Sequence, residues 1–295
     1  MTSPSTGRIA KEIEEYNNLA FGDALYETVN GNAKRRPFYT FGSTSSEANW
    51  SDTLEDMHDE AKTDAHPIDL YERKTVLGYL GGYLSEFANP VIADFGCGAG
   101  FMLHDVEKES SDSTLIGIDI IESGLYKLHK KSPDYLLFKF DITSIPFPDN
   151  FLDCLICLNV LEHIQDDAAV LREFNRILKP DGVACIVVPF GDKLYDYYDE
   201  ALMHVRRYAK NELVKKLQDN GFRVVRHVFL SSLMFIPFFF KKKLNRVLYK
   251  SHKGERLDKV SMDVRRSGWV WLKPCSLLII GCPVNAGFRL VLGRS

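Results

Sequence analysis

Between residues 90 and 190, short β-rich runs alternate with amphipathic helical stretches, and this alternation constrains the fold more than any other feature of the chain. The runs are VIADF (91–95), TLIGIDI (114–120), YLLFKFD (135–141), FLDCLICL (151–158) and GVACIVVP (182–189). Strands separated by helices pair in parallel, because a parallel neighbour needs a long crossover. The clearest helix lies in DDAAVLREFNRILKPDG, where Val170, Leu171, Phe174, Ile177 and Leu178 fall on one face. Asp166 or Asp167 can cap its start, and Lys179-Pro180-Asp181-Gly182 stops it. A helix over 67–84 leads into the first strand, and another is expected at 8–20. Beyond residue 190 come a helix in AKNELVKKLQDNGF, the strand FRVVRHVFL, a mixed apolar and basic segment, and a last strand at 288–293.

Glycine-rich turns after the first strand of such a sheet commonly cradle a ligand. Here the turn reads VIADFGCGAGF, with Gly96, Gly98 and Gly100 in a GxGxG spacing where a dinucleotide fingerprint would read GxGxxG. Asp94 decides against a pyrophosphate, which it would repel, and for a cation such as an α-amino group or a sulfonium. Asp119 ends the second run, where a carboxylate can take both hydroxyls of a ribose. Asp141 ends the third, where an acid can accept a hydrogen bond from an exocyclic amine. Each acid alone could be no more than a helix cap or a turn. Together at three strand ends they describe a nucleoside with a cationic amino-acid tail, S-adenosyl-L-methionine (SAM).

These segments resemble the class I SAM-dependent methyltransferases, nearest the small-molecule branch that includes ubiquinone-biosynthesis enzymes. ADFGCGAG is similar to that family's first motif, PFPDNFLDCLICLNVLEHI to its fourth, and LREFNRILKPDGVACIVVP to the helix-turn-strand after it. CPVNAGFRLVLGR is similar to its final antiparallel strand. The resemblance implies a Rossmann-like, mostly parallel sheet of seven strands with helices on both faces and the last strand antiparallel. By position, Asp94, Gly96 and Gly98 would hold the methionine part, Asp119 and Ile120 the ribose, and Asp141 and Ile142 the adenine. Asn159 would approach the methionine end through its backbone, and Cys97 and Val160 complete the set. Residues 1–66 match nothing in the family. The chain is accordingly divided into a cap (1–88) and a methyltransferase domain (89–295), with an insert at about 230–282 as a lid.

Methyl transfer to a hydroxyl or ammonium requires a proton to leave, and an imidazole suits that task. His163, just past the fourth strand, is the first candidate base and His204 the second. Tyr195, Tyr197, Tyr198 and Tyr208 either pack at the surface or line an aromatic acceptor pocket. His58 and His66 lack metal-ligand spacing, so no metal is expected. The expected acceptor is a small organic molecule, methylated on O or N. The alternatives are a lipid-like or isoprenoid acceptor at a membrane surface, and a SAM-binding partner subunit without catalysis.

Composition narrows the partners. A net charge of −3 argues against a protein that coats nucleic acid. Asn159-Val160-Leu161-Glu162 also departs from the Asn/Asp-Pro-Pro-aromatic motif of enzymes that methylate DNA bases. Charge is uneven: residues 1–72 hold 6 Lys/Arg against 14 Asp/Glu, and residues 241–273 hold 11 against 3. The acidic arm could therefore close against the basic segment. The longest apolar stretch, 228–240, is interrupted by a proline and too short to span a bilayer; with the lysines to 243 it could touch a membrane surface. The N-terminus lacks the apolar run of a signal peptide, and a reducing cytoplasmic setting is expected for the 6 cysteines. Cys154 and Cys157 form a CxxC on a strand, where residues three apart point to opposite faces and cannot share a ligand.

Overall fold

The computed structural model describes residues 4–17, 26–29, 32–35, 38–41, 67–196, 199–200, 202–230 and 276–283. The first elements are helix α1 (Pro4–Tyr16), the hairpin strands β1 (Tyr26–Val29) and β2 (Asn32–Arg35), the short strand β3 (Tyr39–Thr40) and helix α2 (Pro67–Leu84). Five strands follow, with helices between all but β6 and β7: β4 (Val91–Phe95), α3 (Phe101–Glu109), β5 (Thr114–Ile118), α4 (Glu122–Lys131), β6 (Leu136–Lys139), β7 (Leu152–Leu158), α5 (Asp167–Ile177) and β8 (Leu178–Pro189). Helix α6 (Lys210–Asp219), β9 (Phe222–Leu230) and β10 (Ser276–Pro283) complete the described chain.

One sheet has the order β3-β6-β5-β4-β7-β8-β10-β9. Neighbouring strands from β3 to β8 are parallel, whereas β10 runs antiparallel to both β8 and β9. Every residue of β4 and β5 is buried, as central strands covered on both faces require. Side chains alternate between two cores. Phe95, Ile118, Leu155 and Cys157 face one core with α1 (Ile9, Ile13), α5 (Val170, Phe174) and α6 (Leu213, Leu217). Ile92, Leu115, Cys154 and Ile156 face the other with α2 (Val76, Leu80), α3 (Leu103, Val106) and α4 (Leu125, Leu128). The two cysteines of the CxxC thus lie on opposite sides of the sheet, and burial pushes both thiols well above their ordinary range.

The expected Rossmann-like α/β fold is present, with eight strands in the sheet among the described residues where seven were expected. The extra strand is β3, whose Tyr39 ring stacks on Phe138 of β6 at 4.9 Å. The reversed strand is Ser276–Pro283, inside the segment read as an insert; the expected strand at 288–293 lies outside the described residues. Helix α1 starts earlier than the expected 8–20. Lys179-Pro180-Asp181-Gly182 ends α5 as expected, yet it already belongs to β8, where the register jumps from Leu152↔Leu178 to Cys154↔Val183. Asp166 caps α5 by accepting from Ala169 N at 2.9 Å.

Candidate active site

The chain runs from β4 outward to β5 and β6, then returns to β7 on the other side of β4. Strand order therefore reverses between β4 and β7, and the carboxyl ends of these strands flank the crevice where open α/β sheets bind ligands. Every cofactor residue expected from the sequence lies at the carboxyl end of β4, β5, β6 or β7. Asp94 is buried at the end of β4; Gly96, Cys97 and Gly98 follow it. Asp119 and Ile120 follow β5, Asp141 and Ile142 follow β6, and Asn159 and Val160 follow β7.

Backbone hydrogen bonds give the turn its shape. The N–H groups of Gly96 and Cys97 both donate to Ile118 O, at 2.8 and 3.0 Å. Gly96 has φ +79°, and a Cβ there would collide with Val160 Cγ2. Gly100, at φ +78°, opens α3, and its Cβ would meet Leu128. The turn is thus shaped for glycine alone at these two points. Asp119 anchors it: its Oδ2 accepts from Gly98 N at 2.8 Å and its Oδ1 from Ile121 N at 2.9 Å. Asp141 Oδ1 accepts from both the N–H and the hydroxyl of Thr143, each at 2.8 Å, so it also shapes its own turn.

Asn159 adopts φ +57°, and its Nδ2 donates to Glu72 Oε2 of α2 at 3.2 Å. Next to Glu72, Arg73 donates to Asp105 Oδ2 at 2.7 Å and lies over the Phe101 ring at 5.4 Å, tying α2 to α3. Burial alone would raise the Asp105 carboxyl, but hydrogen bonds from Arg73 and Lys108 hold it below its usual value. Glu72, 87 positions away from Asn159 in the chain, escapes any reading by spacing.

The two expected histidines meet. His163 stands on a single 3₁₀ turn, Leu161–His163, and His204 on the segment after β8; their rings cross edge-to-face at 4.7 Å. Val205 N donates to Glu162 O at 2.8 Å and joins the two segments. Behind His204, Nδ1 donates to Asp199 Oδ1 at 3.0 Å; the same carboxylate accepts from Arg207 Nε at 2.7 Å and from Asp196 N at 2.9 Å. Because a carboxylate only accepts, this contact places the His204 proton on Nδ1 and leaves Nε2 as the accepting nitrogen. Glu162 and Asp199, 1% and 0% exposed, were not read as site residues from sequence.

The tyrosines play other parts. Tyr208 is fully buried, with its hydroxyl donating to Asp167 Oδ2 at 2.7 Å and to Leu161 O at 3.1 Å. Tyr195 donates to His204 O at 2.7 Å. Both hydroxyls hold backbone in place, so of the two readings Tyr208 follows packing, in the core rather than at the surface; Tyr197 and Tyr198 lie outside the described residues. Burial would raise the Asp167 carboxyl, but hydrogen bonds from Lys216 and Tyr208 and the charge of Arg206 outweigh it and hold the group low.

Residues 93–186 match the family model described as a methyltransferase domain. This stretch spans β4 to β8 and contains the whole glycine turn and all three strand-end acids. The match and the geometry support a class I SAM-dependent methyltransferase domain over these residues. It is 27% identical over 138 residues to a probable S-adenosylmethionine-dependent methyltransferase of Mycolicibacterium smegmatis, covering 45% of this chain and 52% of that one. It is 33% identical over 104 residues to a ubiquinone biosynthesis O-methyltransferase of Thiobacillus denitrificans, covering 33% and 44%. In fold it is similar to a geranyl diphosphate methyltransferase in complex with SAM, with a TM-score of 0.54 at 14% identity over 72% of this chain and 86% of that one. The chain spans about half the length of the curated relatives it matches.

SAM is the cofactor of this methyltransferase core. Its residues fit that ligand: carboxylates end β4 and follow β5 and β6, so the rim favours a cation, and the glycine turn leaves no Cβ where the backbone must come close. Among the described residues no helix is long and apolar enough to cross a membrane.

Proposed function

We propose that this protein transfers the methyl group of SAM to an oxygen or nitrogen of a small organic molecule. The observation that carries this reading is the adjacency of two sets of groups on one strand end. Val160, at the close of the cofactor set, packs on Gly96, and the turn that follows it presents Glu162 and His163 beside His204.

The bound cofactor supplies an electrophilic methyl on a sulfonium. The chain's own residues then have three tasks. Asp94 and Asp119 would hold the amino-acid and ribose ends, with Asp141 at the adenine, while the glycine turn closes against them. Fixed placement of donor and acceptor can contribute about 7–11 kcal/mol to the rate. His163 and His204 would take the acceptor proton. His204 is the better braced of the two, since Asp199 fixes its tautomer and would stabilise its cation. His163 is the more exposed, and so the nearer to an acceptor arriving from solvent.

The test is direct. The purified chain is titrated with SAM by calorimetry, then incubated with SAM and a panel of phenols, carboxylic acids and amines, with S-adenosylhomocysteine as the readout. Saturable SAM binding and product formation with one acceptor class support the reading. Absence of SAM binding would overturn it, and binding without turnover on any O or N acceptor would leave only the donor half standing.

A further inference from the structure

We propose that Glu162, His163 and His204 form a binding site for one divalent transition-metal ion of the zinc type. One donor atom from each side chain lies within 4.8 Å of the other two. The ligands come from two segments 41 residues apart (204 − 163), which is why sequence spacing gives no sign of them. Those segments are fixed to each other by the Val205–Glu162 backbone hydrogen bond.

The chemistry of the set selects the ion. Two imidazoles and one carboxylate suit zinc and its neighbours, whereas calcium and magnesium prefer all-oxygen shells. Three protein ligands leave a position for a water or an acceptor oxygen, the pattern of catalytic rather than structural zinc sites. At bond lengths of about 2.1 Å, ligand atoms on a tetrahedral ion stand roughly 3.4 Å apart. The side chains would therefore draw together by up to about 1.4 Å (4.8 − 3.4).

A second feature points the same way. Metal-bound histidines usually donate their other ring N–H to a carboxylate, which fixes the ring and makes the ligating nitrogen more basic. His204 makes that bond to Asp199, which is itself held by Arg207 and the Asp196 N–H. Glu162 and His204 are buried and His163 is partly open, so the set is enclosed by protein and accessible on one side.

This proposal deepens the functional reading, because an ion here would make the acceptor an oxygen that it binds and acidifies. The same nitrogens cannot both ligate an ion and take a proton, so an ion would replace the imidazoles in that task. Metal uptake is measured without donor or acceptor, so its failure is distinguishable from failure of the methyltransferase reading.

The full chain is stripped with a chelator, dialysed, and titrated with zinc and separately with cobalt(II). One ion per chain is expected, with the visible bands of low-coordinate cobalt. Glu162→Gln, His163→Ala and His204→Ala should each weaken uptake at least about tenfold, and Asp199→Asn on the order of 10–100-fold. His129→Ala, on α4, should bind as wild type and so exclude adventitious histidine binding. Should the buried His204 variant misfold, His163→Ala, at a partly open position, still decides the matter. Wild-type protein that takes up far less than one ion, or uptake that survives in the ligand variants, would overturn the proposal.

Discussion

A Cβ on Gly96 would collide with Val160 Cγ2. The ends of β4 and β7 are therefore in direct steric contact, and the glycine turn cannot reshape without moving the segment that carries Glu162 and His163. Gly96→Ala adds both this clash and a left-handed backbone strain of about 1–3 kcal/mol. We expect a lower melting temperature and SAM affinity reduced at least tenfold by calorimetry. Val160→Ala in the same background should restore part of both.

Asp119 shapes the turn and, in the proposed function, also holds the ribose. Both its oxygens accept backbone N–H groups, from Gly98 and Ile121. Asp119→Asn keeps a single acceptor oxygen and removes the charge, and charged hydrogen bonds are worth about 1.5–3 kcal/mol each. SAM affinity should fall by ten- to a hundredfold. Unchanged affinity would remove this carboxylate from the ribose.

If the imidazole pair takes the acceptor proton, His163→Ala and His204→Ala should lower kcat by roughly 10²–10⁴ while SAM affinity stays near wild type. Because the rings touch, the double variant should lose less than the product of the two single losses. Wild-type turnover in both single variants would remove the histidines from the chemistry.

Acid should destabilise the protein through Asp167. Its carboxyl titrates below the ordinary value in the folded chain, so its contribution is complete above about pH 4, the usual carboxylate range. That contribution is lost as pH falls through the folded value. Asp167→Asn should melt at a lower temperature near neutrality and show a shallower fall in melting temperature toward acid. A fall as steep as that of wild type would place the acid sensitivity elsewhere.

Helix α1 is built into the core. Ile13 is 0% exposed, and Asn17 Nδ2 donates to Pro146 O at 2.9 Å. Ile13→Ala should cost about 2–5 kcal/mol of stability. Removing residues 1–66 should therefore lower the melting temperature in denaturation scans; the basic segment at 241–273, against which the arm was expected to close, lies outside the described residues.

The parallel core was legible because its strands are buried on both faces and read as continuous apolar runs, as VIADF and LICL do. The strand-end acids were legible because the alternation fixes where each strand stops. β3 was not, since two residues carry no period and Tyr39–Thr40 becomes a strand only by lying on Phe138. β10 was missed for a related reason. SLLIIGCP is as apolar as a core strand, but it follows a long segment without alternation, and the resemblance drew attention to 288–293. Glu162 and Asp199 needed tertiary structure, because each acquires meaning only from a histidine that folding brings to it.

The placement of β10 has a consequence for the order in which the molecule is made. β9 pairs with β10, and β10 in turn with β8, so within the described sheet β9 reaches its neighbours only through a strand that begins 46 residues later (276 − 230). On the ribosome, every ligand-holding strand end can assemble while β9 still has no partner. Affinity for the cofactor should thus arise in nascent chains before the sheet is whole, and late-stage proteolysis should attack β9 until β10 arrives as the keystone. Chains arrested at residue 275 and at residue 295, compared by protease digestion with and without SAM, would reveal that interval.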